Sequence, residues 1–201
     1  MLRTKGETGA FATATRALKM VQQLTRLINV EFKYFETDLS AQATSSGNMQ
    51  NICYPTQGVS VNQREGDSIR MKTAQLTGEI TFASPNNGPE VVRIIMFIDK
   101  QGTIASGSDL LENVPSGSAV RSNLNQNNKN DVIILSDESY ALDQYHPIVL
   151  FNVHLPVEMH QQFVAGGTTV KNNGLSVLFI SQAATSSPVV AWHTHVEYVD
   201  N

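Results

Sequence analysis

The hydrophobic residues of this chain follow two periods, one near the N-terminus and another through the rest. Between residues 14 and 28, apolar residues recur at spacings of three and four, which places them along one face of an α-helix. The basic residues of this stretch fall together on another side. The pattern predicts one amphipathic helix, with Ala17, Met20, Val21, Leu24, Leu27 and Ile28 on its apolar face and Arg16, Lys19 and Arg26 on its basic face.

From residue 29 onward the pattern is that of β-strands separated by turns rich in Gly, Pro, Asn and Ser. Seven to nine strands at this spacing favour a sandwich or barrel, and long, unequal loops favour a jelly roll. The predicted fold class is all-β: an eight-stranded jelly-roll sandwich of residues 29–201, preceded by an arm of residues 1–28 with one amphipathic basic helix. The predicted strands are 29–39, 67–83, 91–99, 132–135, 140–142, 148–155, 175–181 and 189–199.

The last predicted strand has two distinct faces. Successive side chains of a strand point to opposite sides, so every second residue shares a face. One set is apolar and is expected in the core, whereas the other is more polar and is expected at solvent or at an interface. The core set is Val190, Trp192, Thr194, Val196 and Tyr198, and the outer set is Val189, Ala191, His193, His195 and Glu197.

The net charge of −4 conceals an asymmetry along the chain. Residues 1–33 contain six bases and two acids, whereas residues 34–201 contain eight bases and sixteen acids. A basic segment on an acidic body is typical of an arm that meets a polyanion. Charge alone fits a solvated helix face equally well. If the arm binds nucleic acid, its contacts are expected from Arg3, Lys5, Arg16, Lys19 and Arg26.

Composition is that of a folded domain, with 41% hydrophobic and 16% charged residues. The single cysteine, Cys53, cannot form an intramolecular disulfide, which favours a reducing compartment. No run of 18 apolar residues predicts a membrane helix, and the first residues lack a secretory pattern. We therefore expect a soluble protein that is intracellular where it is made and is not inserted in a membrane.

Candidate catalytic residues are few. His193, His195 and Glu197 share one strand face, which makes a metal site of the cupin type conceivable, but no glycine-flanked cupin signature surrounds them. No Gly-x-Ser-x-Gly elbow or phosphate-binding glycine pattern is present. The sequence therefore predicts no enzyme and no catalytic cofactor. The motif of residues 61–70 is interpreted as a turn in which Arg64 and Asp67 bind nearby backbone groups and each other.

Five segments, in order, resemble the coat proteins of satellite plant viruses of the satellite tobacco necrosis type. They also resemble the capsids of small circular single-stranded DNA viruses. The resemblance covers about 190 residues, and no single motif in it is diagnostic. Its segments are 14–19 with 29–35; Gln57-Gly58, 62–67 and Ile69-Arg70; 92–99 with 109–111; 132–137; and 192–200.

This resemblance implies an eight-stranded jelly roll and a virion of sixty copies, in the simplest T=1 shell, around single-stranded RNA or DNA. It also implies a basic helix directed at the genome. It further implies an inter-subunit calcium ion bound by the carboxylates of Glu31 and Asp200 and by the backbone carbonyls of Glu65 and Ser68. The alternative is that Glu31 pairs with Lys33 or Arg64. The chain departs from the family because only Arg3 and Lys5 precede Glu7, where members carry an arginine-rich terminus.

One other class of protein remains the main alternative, and a second, the cupin type, is disfavoured by the missing cupin signature. A trimeric jelly-roll binding module of the tumour-necrosis-factor or lectin class would explain the strands but not the basic helix. A cupin-like metalloenzyme would explain the paired histidines.

Overall fold

The computed structural model describes residues 13–21, 31–83, 88–115, 119–183 and 186–200. The chain divides into two compact units, residues 1–31 and residues 32–201. In the first unit, residues 13–21 are helical and their side chains are exposed. No helix among the described ranges is both long and apolar enough to cross a membrane.

The second unit is a sandwich of two antiparallel sheets, which confirms the predicted all-β sandwich. The five-stranded sheet has the order β1-β9-β3-β6-β7, and the four-stranded sheet has the order β2-β8-β4-β5. The described residues form nine strands rather than the predicted eight, because two predicted strands are one strand, β5, and two short strands, β2 and β7, were not predicted. The strands are β1 Phe32–Gln42, β2 Asn48–Asn51, β3 Ser68–Thr81, β4 Glu90–Asp99, β5 Val132–Leu142, β6 Ile148–Phe163, β7 Val170–Asn172, β8 Gly174–Ser181 and β9 Val189–Asp200.

The main core lies between the two sheets. Strand β9 contributes its predicted apolar set, because Trp192, Val196 and Tyr198 are buried in this core, whereas His193 and Glu197 on the other face are exposed. The predicted sidedness of the last strand is thus confirmed. Burial of large apolar side chains of this kind stabilises a fold by about 1.5–3 kcal/mol per residue.

A second core covers the outer side of the four-stranded sheet. Residues 104–124, between β4 and β5, place Ile104, Leu110 and Val120 against Phe97 of β4 and Ile180 of β8. Strands β4 and β8 are therefore buried on both faces, which explains why their sequences are continuous apolar runs rather than alternating ones. By contrast, the outer side of the five-stranded sheet carries polar and partly exposed side chains. We call this uncovered outer side of the five-stranded sheet the bare face; the four-stranded sheet has no equivalent among the described residues, because the second core covers its outer side.

The structure departs from the predicted elements in several places. Strands β2 and β7 were not predicted, and β5 joins two predicted strands into one. Strand β6 continues past Pro156 to Phe163, where the predicted strand ends at residue 155. Pro156 is tolerated because it lies where the pairing of β3 with β6 shifts register, between Met71 and Thr73. The excursion between β4 and β5 also contains two short helical turns, Gly107–Leu110 and Ala119–Arg121.

Candidate functional site

Two of the five predicted nucleic-acid contacts lie in described residues. Arg16 and Lys19 are exposed within the helical segment of residues 13–21. Leu18 and Val21 in the same segment are also about three-fifths exposed, at 60% and 58%. The other predicted contacts, Arg3, Lys5 and Arg26, lie outside the described residues. The structure therefore does not test whether this set binds nucleic acid.

Lys33, counted above with the basic N-terminal residues, belongs to the sandwich instead. It lies on the inward side of β1 and is only 2% exposed. Its Nζ donates to Asp200 Oδ2 at 2.7 Å and to Glu65 Oε1 at 3.3 Å. Lys33 therefore pairs with carboxylates of its own chain, and the basic excess is confined to residues 1–31.

Burial and ion pairing act in opposite directions on Lys33. Burial lowers the pKa of its ammonium, but the hydrogen bonds and charges of Asp200 and then of Glu65 outweigh burial, and the pKa is raised. The charged form is therefore the stable one in the folded chain. An ammonium held in this way fastens the start of β1 to the end of β9 and to the loop before β3.

The structure brings together two of the four residues of the predicted calcium site. The N–H of Glu65 donates to Asp200 Oδ2 at 3.3 Å, while Asp200 Oδ1 is buried without a hydrogen-bond partner among the described residues. Ser68 begins β3, and Glu31 is exposed in the first unit. Asp200 Oδ1 is thus a fitting open ligand for a cation, although Lys33 already lies against Oδ2. The complete ligand set stays a prediction, and no group of three metal-binding side chains occurs within the described ranges.

Arg64 is the central residue of the turn between β2 and β3. It is fully buried, and its guanidinium donates to the carbonyls of Gly66 and Gly167 and, at 3.3 Å, to Asp67 Oδ1. The guanidinium carbon also lies 4.2 Å from the centre of the Phe163 ring, a cation–π distance. The predicted scaffold role of this motif is confirmed, since Arg64 joins two loops that are about 100 residues apart in sequence.

The outer face of the five-stranded sheet carries paired histidines and carboxylates. His193 Nδ1 lies 2.9 Å from Asp38 Oδ1, and His195 Nδ1 lies 2.8 Å from Glu36 Oε1. On its other side, His195 Nε2 lies 4.0 Å from Glu197 Oε1. The sequence identified the two histidines as candidate site residues but did not identify the carboxylates of β1. The alternation of polar residues in β1 was the one sequence feature that could have indicated them. With neutral imidazoles, this part of the face is acidic.

No protein-family model matches the chain, and no curated protein matches it. Among solved structures, the empty head of turnip yellow mosaic virus is 10% identical, with a TM-score of 0.39, and the match covers 83% of this chain and 80% of that one. A structure of Bacillus endospore appendages, described as disulfide-linked pili, is 6% identical with a TM-score of 0.32 and covers 86% and 92%. The VP2 subviral particle of infectious bursal disease virus is 11% identical with a TM-score of 0.24 and covers 84% and 41%. Likenesses this distant establish neither a family nor a function for the chain.

Proposed function

We propose that this chain is the coat protein of a small icosahedral virus, with a structural rather than a catalytic role. Copies of the sandwich assemble into a shell, in the simplest case of sixty, and the basic arm holds single-stranded nucleic acid inside it. The protein is then a component of the virion and is assembled inside the host cell. The strand order of the two sheets supports the fold, and the observation that carries the choice of function is the exposed basic residues of the helical segment.

The strand order supports a jelly roll. Strand β4 pairs with β5, β3 with β6, β2 with β8 and β1 with β9, and all these pairs are antiparallel. This nested pairing is that of one long hairpin wrapped into two sheets, with the short β7 as an addition at one edge. Jelly rolls of this kind occur in viral capsids and in lectins. The fold is therefore shared by the proposed function and by the trimeric binding module.

Charge favours the shell over the binding module. The bare face of the five-stranded sheet carries Glu36, Asp38 and Glu197, which repel phosphate groups at neutral pH. Arg16 and Lys19 are exposed on the helical segment, where the described residues contain no acid. We therefore assign nucleic-acid binding to the arm and not to the sheet. The trimeric binding module explains the strands but does not explain this basic arm.

The mass of the purified protein in solution separates the candidate functions. A shell of sixty 22.0-kDa chains has a mass of about 1.3 MDa, whereas a trimer has a mass of about 66 kDa. We expect uniform particles above 1 MDa in size-exclusion chromatography with light scattering and in electron micrographs. Trimers alone at high protein concentration would favour the binding module, and a metal-containing dimer would favour the cupin.

Replacing Arg16, Lys19 and Arg26 together by Gln is expected to reduce the nucleic acid packaged per particle. These bases contact phosphates without reading sequence, so the plot of log K against log salt should also become flatter by about 2 units. Particle assembly and the melting temperature should remain close to those of the parent, because the sandwich is unchanged. Absorbance ratios of purified particles and salt titrations of nucleic-acid binding measure both effects.

The matched control removes three positive charges from the sandwich instead of from the arm. Arg121, Lys129 and Lys171 are exposed, and their replacement by Gln should leave packaging unaltered. If the arm variant packages as much nucleic acid as the parent, the basic residues of the arm form only a solvated helix face.

A further inference from the structure

The histidines of this chain are concentrated on the bare face. The chain has five histidines, and four of them lie at outward positions of β9 and β6, on the uncovered side of the five-stranded sheet. Histidine side chains as a class change their charge between about pH 5 and pH 8. The charge that the sandwich gains on mild acidification is therefore gained mainly on one face. The four residues are His154, His160, His193 and His195.

The other charged side chains of this face set its charge at neutral pH. Among the described residues, the outward positions of β1, β9, β3 and β6 carry five acids and two bases, a net charge of −3 when the imidazoles are neutral. Protonation of the four histidines changes this net charge to +1. The acids are Glu36, Asp38, Glu79, Glu158 and Glu197, and the bases are Arg70 and Lys72.

His195 lies among groups that meet its charge. Its row across the sheet runs from Glu36 on β1 to His154 on β6. Its Nδ1 lies 2.8 Å from Glu36 Oε1, and its Nε2 lies 4.0 Å from Glu197 Oε1. Its ring is stacked on that of Tyr34, with 5.8 Å between the centres and 18° between the planes. A proton taken up by His195 is therefore placed between two carboxylates and against an aromatic ring.

The next row repeats this pairing of histidine with carboxylate. His193 Nδ1 lies 2.9 Å from Asp38 Oδ1, and the rest of the row on β3 and β6 is uncharged. In the row beyond it, Glu79 of β3 adds a further acid. These three described rows contain no lysine or arginine, since both bases of the face pair with Glu158 nearer its other end. Protons alone therefore control the charge of this part of the bare face.

We propose that the bare face is a proton-operated charge switch, which repels single-stranded nucleic acid at neutral pH and accepts it on mild acidification. This inference deepens the proposed function, on which it rests, by adding a pH-dependent contact to that of the arm. Arginine and lysine side chains stay charged across this range, so Arg16 and Lys19 bind phosphates at both pH values. The face joins them only when its histidines are protonated, and the partly exposed ring of Tyr34 then offers a base a surface for stacking.

Binding of labelled oligothymidylate to dissociated subunits of the full chain tests the switch, because thymine itself takes up no proton in this range. Fluorescence anisotropy at low salt should show about tenfold tighter binding at about pH 5.5 than at about pH 7.5. The variant H154Q/H193Q/H195Q should lose most of this increase. Its melting temperature at neutral pH should stay close to that of the parent, because the three side chains lie on the outer side of the sheet.

His146→Gln is the matched control. His146 also lies beside a carboxylate, with its Nδ1 3.2 Å from Asp143 Oδ1, but it belongs to the turn between β5 and β6, outside the four strands. This variant should keep the pH response of the parent. The opposite change, Glu36→Gln with Asp38→Asn, removes two negative charges from the face and should tighten binding several-fold at neutral pH.

The outcomes separate the switch from the proposed function. Loss of the increase in the triple variant, together with its retention in His146→Gln, supports the switch. An increase that persists in the triple variant, or a parent with equal affinity at both pH values, overturns the switch and leaves the coat-protein proposal standing. A parent that binds the oligonucleotide at neither pH overturns nucleic-acid binding by the arm as well.

Discussion

Replacement of Gly78 by alanine is expected to lower the free energy of unfolding by about 3 kcal/mol. Gly78 lies in β3, between β9 and β6, where it faces Trp192 and Phe151. A β-carbon there would lie 2.9 Å from the Cα of Trp192 and closer still to the carbonyl oxygen of Ala191. Both are backbone atoms of a paired strand and cannot move without breaking the ladder. Urea unfolding followed by circular dichroism measures the loss.

Gly88→Ala is the control for this prediction. A β-carbon at Gly88 meets no atom within 4 Å, so its effect on the free energy of unfolding should stay within about 0.5 kcal/mol. Because assembly adds stability by mass action, both variants should be compared as dissociated subunits. A loss below 1 kcal/mol for Gly78→Ala would mean that β3 and β9 separate easily at this point.

The sequence pattern predicted those elements whose burial follows from local periodicity. Strand β9 alternates because one of its faces meets the core and the other does not, and β4 is continuously apolar because a second core covers its outer side. Strand β2 was missed because its four residues, Asn48–Asn51, are mostly polar and only partly buried. Its place in the sheet is set by pairing with β8, which lies more than 120 residues later.

The candidate site was harder to predict because it depends on contacts between distant segments. The alternation in β9 placed His193 and His195 on one face, but only the pairing of β1 with β9 shows that Asp38 and Glu36 lie beside them. Lys33 gives a similar lesson. From the sequence alone, a lysine just after a basic segment is assigned to that segment. Lys33 can be buried because its ammonium pairs with Asp200, which lies 167 positions further along the chain.

Arg64 is a residue for which the local sequence predicted the turn but not the burial. The motif around it predicted a turn, and the contact with Asp67 three residues later was expected from the sequence. The full burial of Arg64 was not expected from the sequence, because a charged residue is almost never fully buried without partners. Those partners come from Gly167 and the ring of Phe163, in segments that no local rule connects to residue 64.

Replacement of Lys33 by methionine is the second change with a large expected effect, about 3 kcal/mol lost from the free energy of unfolding. The variant keeps most of the side-chain volume but leaves the partly buried carboxylate of Asp200 without its counter-charge. Lys72 is the matched control because its side chain is 24% exposed and its partner Glu158 is half exposed, so Lys72→Met should cost less than about 1 kcal/mol. Since the pKa of Lys33 is raised by folding, its contribution is complete below the ordinary value of 10.5 and declines as the pH rises through the raised value.

The double variant Lys33→Met, Asp200→Asn separates the two cations that Asp200 could bind. If Lys33 is the only cation at this site, removing the carboxylate as well restores most of the lost stability, and excess chelator leaves the melting temperature of assembled particles unchanged. If the proposed calcium also binds, chelator lowers the melting temperature of the parent particle, whereas Asp200→Asn, which also loses the Lys33 ion pair, no longer responds to chelator. Thermal melts of the parent and the three variants, with and without calcium, distinguish these outcomes. Unchanged melts in chelator, together with rescue by the double variant, would remove the calcium site and leave Lys33 as the residue that fastens the end of β9.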